Sequence, residues 1–585
     1  MNLNNIKKSV LLLIIIIIGG ALRFYQLGAV PVSVDWDEAA LGYNAYSIMQ
    51  TGRDEYGEFM PVVLKSFGDY KPALYSYLAI PGIKIFGLNA FSIRLPSAIF
   101  GLLMVWATYF LVHELFKRET TQNQTQNYAE LLALVSALLL AVSPWHIQFS
   151  RTGFEANIGL ALNMFTVLLF VKAFKRPILL PFSAAFSALS IYSYQSEKIF
   201  VPVLVAALVL IYRKEIFRLP KKYIISSLIV GVIVISPMIL YLVSNNDALS
   251  RARGSLLTAN QTTLLKDNII RIEVDIEQKD YLGLVFDNRR VLYLRSAFVG
   301  YFSHFDLNWL FVSGDSARHH APGVGLLYLW EFPFLFIGFY ALLFSRYFTK
   351  ENKKGKLLLF SWFLLAPVPA AFTNDVPHAV RTLNFLPTFQ VFTAIGILTA
   401  VKTVLSIKPA RNAFAGSASE AGGYKVLSIK PLYLLLITYL MFIFFNISYY
   451  IDQYFVQQNY YYSKYWQYGR EEEIKFVKSI ESNYDKIVVS DKDFLDQSYI
   501  FYLYYLKYNP EFYQEEGRIF SDGERNIRTF GKYEFRSFEW GEELENDKVL
   551  YVGGPREFGD GANILREINY LNGEEAVKIV GGKHE

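Results

Sequence analysis

The sequence predicts a polytopic α-helical membrane protein of about 11–13 transmembrane helices, with a large first extracytoplasmic loop and a small soluble α/β domain at its C-terminal end. Three observations carry this. Hydrophobic residues make up 53% of the 585-residue chain and charged ones only 19%, and the charges avoid the long apolar runs. A soluble protein carries roughly a quarter of its residues as charges. The basic residues gather in alternate loops, and beyond about Ile451 the composition turns charged and tyrosine-rich.

A helix needs about 20 apolar residues to cross hydrocarbon, where an unpaired backbone group costs several kcal/mol. Residues 9–27 form the first candidate span. Lys7 and Lys8 precede it as they would a signal peptide, but Arg23-Phe24-Tyr25-Gln26-Leu27 follows in place of a small-residue cleavage site. The span is therefore expected to stay uncleaved. The first outer loop, 28–93, contains an apolar, aromatic stretch at 72–88 interrupted by Pro81, Gly82 and Lys84, which suits a helix lying in the interface. Further spans are expected at 94–116, 129–146, 155–174, 178–194, 200–212 and 223–243. After a long loop at 244–324 come 325–344, 356–372, 383–404 and 431–450. Residues 416–423 read as a Gly/Ala/Ser linker. Residues 1–450 are thus expected to form a membrane domain and 451–585 a soluble one, with strands near 486–490 and 548–552 and a helix over 498–508.

Threading the spans alternately places Lys7-Lys8, Lys117-Arg118, Lys172 to Arg176, Arg213 to Lys222, Arg346 to Lys356 and Lys402 to Lys430 on one side. By the positive-inside rule that side is cytoplasmic, so the N-terminus is expected there and the C-terminal domain outside. Most of the net charge of +5 is this topology signal, and no aromatic-interleaved basic surface points to nucleic acid. Cysteine is absent, which excludes disulfides, thiolate catalysis and cysteine-based zinc sites. Of the seven histidines only His113 falls towards the cytoplasm, an asymmetry that suggests an active site at the outer surface.

The first outer loop is the richest in chemistry. It reads Asp35-Trp36-Asp37-Glu38, then Asp69-Tyr70-Lys71-Pro72-Ala73-Leu74-Tyr75. The carboxylates precede a helical pattern, so the helix dipole favours their ionised form. Such a group can take a proton from a hydroxyl or hold a cation, or it can simply cap the helix. Other outward clusters are Trp145-His146 with Arg151 and Glu155, Gln195-Ser196-Glu197-Lys198, and His304, Asp306, Asp315, His319 and His320 in the long loop. The last group has ligand chemistry but no zinc-signature spacing, so no metal site is assigned. In Pro377-His378-Ala379-Val380-Arg381 the guanidinium suits a phosphate oxygen pair or anchors a helix end at the interface. Gly553-Gly554-Pro555 lacks the Lys-Ser/Thr ending of a phosphate loop.

An acidic pair just past the first span, followed by Lys71-Pro72-x-Leu74-Tyr75 opening an interfacial helix, resembles the membrane-embedded GT-C glycosyltransferases. The similarity is to the dolichyl-phosphate-mannose protein mannosyltransferases and the lipid A aminoarabinose transferases (glycosyltransferase families 39 and 83). It covers residues 9–450, is strongest over 31–100, and leaves the C-terminal domain aside. The resemblance implies an enzyme that moves a sugar from a polyprenyl phosphate to a hydroxyl of a protein, glycan or lipid, inverting the anomeric carbon. Asp37 matches the family's catalytic Asp, with Glu38 beside it, and Lys71 matches the Lys of the Lys-Pro motif. Lys71 and Arg381 are then expected at the donor phosphate. Asp35, Asp69, Arg151, Glu155, Glu197, His319, His320 and His378 are further candidates for substrate contact. Asp69 departs from the pattern, standing two residues before the lysine where relatives carry an adjacent Glu or His.

Two rival classes stay open. A transporter or flippase of lipid-linked saccharides would place acids in span interiors, which are nearly free of them, or show internal repeats, which are not evident. An oligosaccharyltransferase-like enzyme would use a divalent cation, for which Asp35, Asp37 and Glu38 offer oxygen ligands. The sugar, the acceptor and the oligomeric state are not readable from the sequence.

Overall fold

The structure, a computed structural model, describes residues 3–67, 69–117, 123–245, 261–345, 352–406, 429–522, 525–543 and 548–582. The expected linker at 416–423 and most of the basic loop around it lie outside the described residues. The chain is mostly helical, with a β-sheet near its C-terminal end.

Each of the eleven expected spans carries helix. The first falls on α1 (Leu3–Phe24). The first outer loop then folds as α2 (Trp36–Thr51), a hairpin of β1 (Val63–Ser66) and β2 (Asp69–Pro72), and α3 (Leu74–Phe86), which covers the expected interfacial stretch. Next come α4 (Ala90–Phe116), α5 (Asn123–Val142), α6 (Pro144–Ser150), α7 (Ala156–Ala173), α8 (Leu179–Ser190) and α9 (Glu197–Ile211). The later spans fall on the helices Lys221–Ser244, Phe332–Phe344, Lys353–Leu365, Thr388–Ser406 and Ile429–Asp452.

Among the described residues five helices are long and apolar enough to cross a membrane, and the pair joined at Val142 and Pro144, bent by 60°, makes a sixth. Several apolar runs are thus shorter or broken helices, and at the bent pair stands Pro144, which lacks the N–H that would continue the ladder. Hydropathy alone does not see such a break. Lys221–Ser244 and Leu434–Tyr462 are almost wholly unburied, with leucine, isoleucine and phenylalanine outward. Only hydrocarbon solvates such surfaces at this size, and the chain is a multi-pass membrane protein.

Local signals set the first loop. Asp35 caps α2 and Gly52, at φ 71°, ends it in the left-handed conformation that glycine tolerates. Asn89 and Ser92 form a reciprocal capping box at the start of α4, satisfying two otherwise orphaned N–H groups. The hairpin pairs Leu64 with Lys71, which fixes the direction in which the lysine leaves the strand.

The strands of the C-terminal sheet are β3 (Lys486–Val489), β4 (Arg518–Asp522), β5 (Arg525–Phe530), β6 (Tyr533–Phe535), β7 (Val549–Gly553), β8 (Ile564–Asn569) and β9 (Glu575–Gly581). They lie in the order β4-β5-β6-β3-β7-β9-β8. Only β3 with β6 and β3 with β7 run parallel, in keeping with the buried Ile-Val-Val of β3 at the centre. The sheet does not keep its core to itself. Ile487, Tyr499, Tyr502, Leu550 and Ile579 share one hydrophobic cluster with Ala39, Leu41 and Tyr43 of α2 and Tyr75 of α3. Gly42 lies at this contact: a Cβ there would come within 2.5 Å of Ile93 and 3.1 Å of Tyr504. The first outer loop is therefore packed between the membrane helices and the C-terminal sheet.

Candidate active site

The first turn of α2 sends its three carboxylates into three environments. Asp35 is fully buried; its Oδ1 accepts the Glu38 N–H at 2.7 Å, and its Oδ2 accepts Arg318 Nη1 at 2.5 Å. Burial pushes its carboxyl up to about 6, against the pull of Arg318. Glu38 is also fully buried and saturated. Arg94 Nε and Nη2 each donate to it at 2.8 Å, and the Gly153 N–H adds a third bond at 2.7 Å. A Cβ at 153 would lie 2.9 Å from Glu38 Cγ, so glycine alone permits that approach.

Asp37 keeps part of its carboxylate exposed. It pairs with Lys71, and its Oδ2 stands 3.7 Å from Arg318 Nη1. Lys71 itself is buried, with its ammonium 4.9 Å from the centre of the Phe67 ring. Arg318 is held by stacking on Trp36 at 4.5 Å and through its carbonyl, which accepts Gln148 Nε2 at 2.6 Å. One guanidinium thus ties the buried Asp35 to the cavity-facing Asp37.

Asp37 and Lys71 face a cavity of about 480 Å³, which Glu155, Asp315, Arg318, His319, His378 and Arg381 also line. Its far wall comes from two loops. His319 Nδ1 lies 3.1 Å from Asp315 Oδ1, and Asp315 Oδ2 accepts the Ala379 N–H at 2.7 Å, which binds one loop to the other. The His319 and His378 rings are 5.1 Å apart. Burial, then the neighbouring His319, holds His378 well below the usual imidazole range. Burial raises the Asp315 carboxyl, but His319, His378 and the Ala379 N–H together outweigh it and hold the group below the usual carboxylate range. Arg381 Nη1 donates to Thr373 Oγ1 at 2.8 Å and to the Asn374 carbonyl. Asp315, His319 and His378 each offer a metal-ligand atom, all within 4.8 Å of one another.

Of the residues expected near substrate, Asp37, Lys71, Glu155, His319, His378 and Arg381 therefore meet on one cavity, and Asp35 lies just behind it. Four stand elsewhere. Glu38 is locked to Arg94, as above. Arg151 donates to the carbonyls of Leu22, Arg23, Gln26 and Val30, stitching the end of α1 in place. Glu197 accepts Asn163 Nδ2 at 2.6 Å and Asn384 Nδ2 at 2.7 Å, joining three helical segments. His320 turns its Nδ1 to the Ala321 carbonyl at 2.9 Å and its ring to Tyr462. The Asp69 side chain lies outside the described residues. Sequence reasoning missed Arg318 and named Asp315 only within the long-loop cluster of ligand chemistry, not among the site residues. The only cue was their place beside His319 in a long outer loop, with no periodicity to show which way they face.

Residues 70–241 match the family model described as dolichyl-phosphate-mannose-protein mannosyltransferase, a stretch that includes Lys71 but not Asp37. The chain resembles that family there, as the first loop implied. No curated protein matches the chain. Among solved structures it is similar to ArnT from Cupriavidus metallidurans bound to undecaprenyl phosphate, at 10% identity and a TM-score of 0.49, covering 98% of this chain and 97% of that one. It is also similar to the oligosaccharyltransferase AglB from Archaeoglobus fulgidus, in complex with an inhibitory peptide and a dolichol-phosphate, at 14% identity and a TM-score of 0.48, covering 86% of this chain. The chain spans 64% of the length of AglB.

Proposed function

We propose that this chain is an inverting membrane glycosyltransferase that moves a sugar from a polyprenyl-phosphate donor to a hydroxyl acceptor at the outer face of the membrane. One observation carries the reading. A partly exposed carboxylate, Asp37, and a buried ammonium, Lys71, meet on the wall of a cavity that Arg318 and Arg381 also line. The match of residues 70–241 to a mannosyltransferase family supports it.

Chemistry follows from the pairing. A donor phosphate competes with Asp37 for Lys71, and its arrival leaves the carboxylate able to accept a proton. The acceptor oxygen gives that proton to Asp37 and bonds to the anomeric carbon from the face opposite the phosphate. The bond from that carbon to the phosphate oxygen breaks, and the phosphate leaves with the electron pair. No general acid is needed, because the leaving group is stabilised by Lys71, Arg381 and Arg318. Asp35 is excluded as the base by burial and by its bond to Arg318, and Glu38 serves to position the turn. Residues 451–585 form the outer soluble domain in this reading, and the N-terminus is cytoplasmic.

The test is Asp37→Asn, assayed with a panel of polyprenyl-phosphate sugars for release of the lipid phosphate. Transfer should fall by about a hundredfold to ten-thousandfold, the range expected for loss of a general base, while insertion and thermal stability persist. Undiminished turnover by that variant would remove Asp37 as base.

A further inference from the structure

We propose that Asp315, His319 and His378 form a binding site for one zinc ion on the wall of the cavity, and that the bound ion takes an oxygen of the donor phosphate. The second half rests on the glycosyltransferase reading; the first half does not.

Two imidazoles and one carboxylate bring their ligand atoms within 4.8 Å of one another. Around a tetrahedral zinc with bonds near 2.0–2.1 Å, donor atoms stand ~3.3 Å apart, so side-chain rotation of about an ångström closes the set. The two loops that carry the ligands are already joined, since the Ala379 N–H holds Asp315 Oδ2 at 2.7 Å. That bond orients the carboxylate from behind, as outer partners do at metal sites. The His378 N–H in turn donates to His304 Nε2 at 3.1 Å, which fixes the loop that presents the ring.

Two nitrogen ligands favour zinc over magnesium, calcium or manganese, which take oxygen. Three protein ligands on a cavity wall leave coordination positions open to whatever enters. Arg381 on the same wall adds a fixed positive charge, so an anionic ligand such as a phosphate is what balances the site. The simpler alternative is an Asp–His pair that only staples two loops together. It explains the 3.1 Å contact of Asp315 with His319, but not the second imidazole facing the first at 5.1 Å.

The experiment uses the full chain in detergent, stripped with a chelator and titrated with zinc by calorimetry and with cobalt(II) by visible absorption. One metal per chain is expected, with ligand-field bands of a low-coordinate cobalt site. Asp315→Asn, His378→Gln and the double variant His319→Gln/His378→Gln should each weaken binding by at least about tenfold. His320→Gln, adjacent in sequence but outside the cluster, should bind as the parent does. Thermal unfolding of each variant identifies any that fails to fold, and the remaining single variants then decide. Equal affinity in the parent and the double variant, or no cobalt bands, would overturn the site. Addition of a polyprenyl phosphate should shift the bands; bands that stay unmoved would overturn the phosphate contact. Binding is read without turnover, so failure of the transferase reading alone leaves the metal result standing.

Discussion

Asp35, Asp37 and Glu38 share one helical turn, yet only Asp37 among them reaches the cavity. The reason is environment, not identity. Asp35 is saturated by a backbone N–H and Arg318, Glu38 by Arg94 and the Gly153 N–H, and Asp37 alone lines the cavity. Breaking a buried ion pair leaves a charge stranded in low dielectric, which costs about 3–5 kcal/mol. Glu38→Ala should therefore lower the thermal unfolding temperature markedly by stranding Arg94. The transfer rate per folded molecule should change far less than in Asp37→Asn. A variant as stable as the parent but without activity would mean that Glu38 acts on the substrate.

At the scale of elements, the first outer loop packs on the C-terminal sheet as well as on the membrane helices. Between them lies Glu55, buried in a nest of Tyr43, Tyr56, Tyr499 and Tyr513 near Arg528. Burial pushes its carboxyl up to about 8 from an ordinary 4.5, despite the opposing pull of Arg528. The sign of the linkage follows. Between those two values the folded protein keeps a proton that the unfolded chain has shed, so this group's contribution to stability declines as pH rises from about 5 to 8. Glu55→Gln keeps the shape and has no proton to lose. Plotted against pH, the melting temperature of the parent relative to Glu55→Gln should fall across that window. A difference that stays level from pH 5 to 8 would show that Glu55 ionises freely in the fold.

For the whole molecule, the proposed chemistry requires that the cavity open towards the outer face, where a flipped lipid-linked donor waits. The chain lacks cysteine, so single-cysteine reporters need no background removed. Gln278 and Arg218 are both exposed, and threading assigns them to opposite sides of the membrane. A membrane-impermeant maleimide applied outside should label Gln278→Cys and leave Arg218→Cys unlabelled until the membrane is opened. The reverse pattern would put the cavity in the cytosol and end the proposed orientation.

The positions of the helices were legible in the sequence because the demand of hydrocarbon is local: each apolar run must satisfy its own backbone, and helix does so within the run. The Asp37 and Lys71 elements were legible for a similar reason, since each sits in a short stretch with its own pattern. Where those runs break, which carboxylate of the first turn faces the cavity, and the meeting of His319 with His378 were decided by tertiary structure. So was the place of Arg318, whose bond to Asp35 spans 283 residues of chain. Periodicity and hydropathy report how a segment relates to solvent, and they carry no record of which distant loop will supply its partner. The core that α2 shares with the C-terminal sheet is the same case at larger scale: each face is apolar on its own, and only folding chooses what covers it.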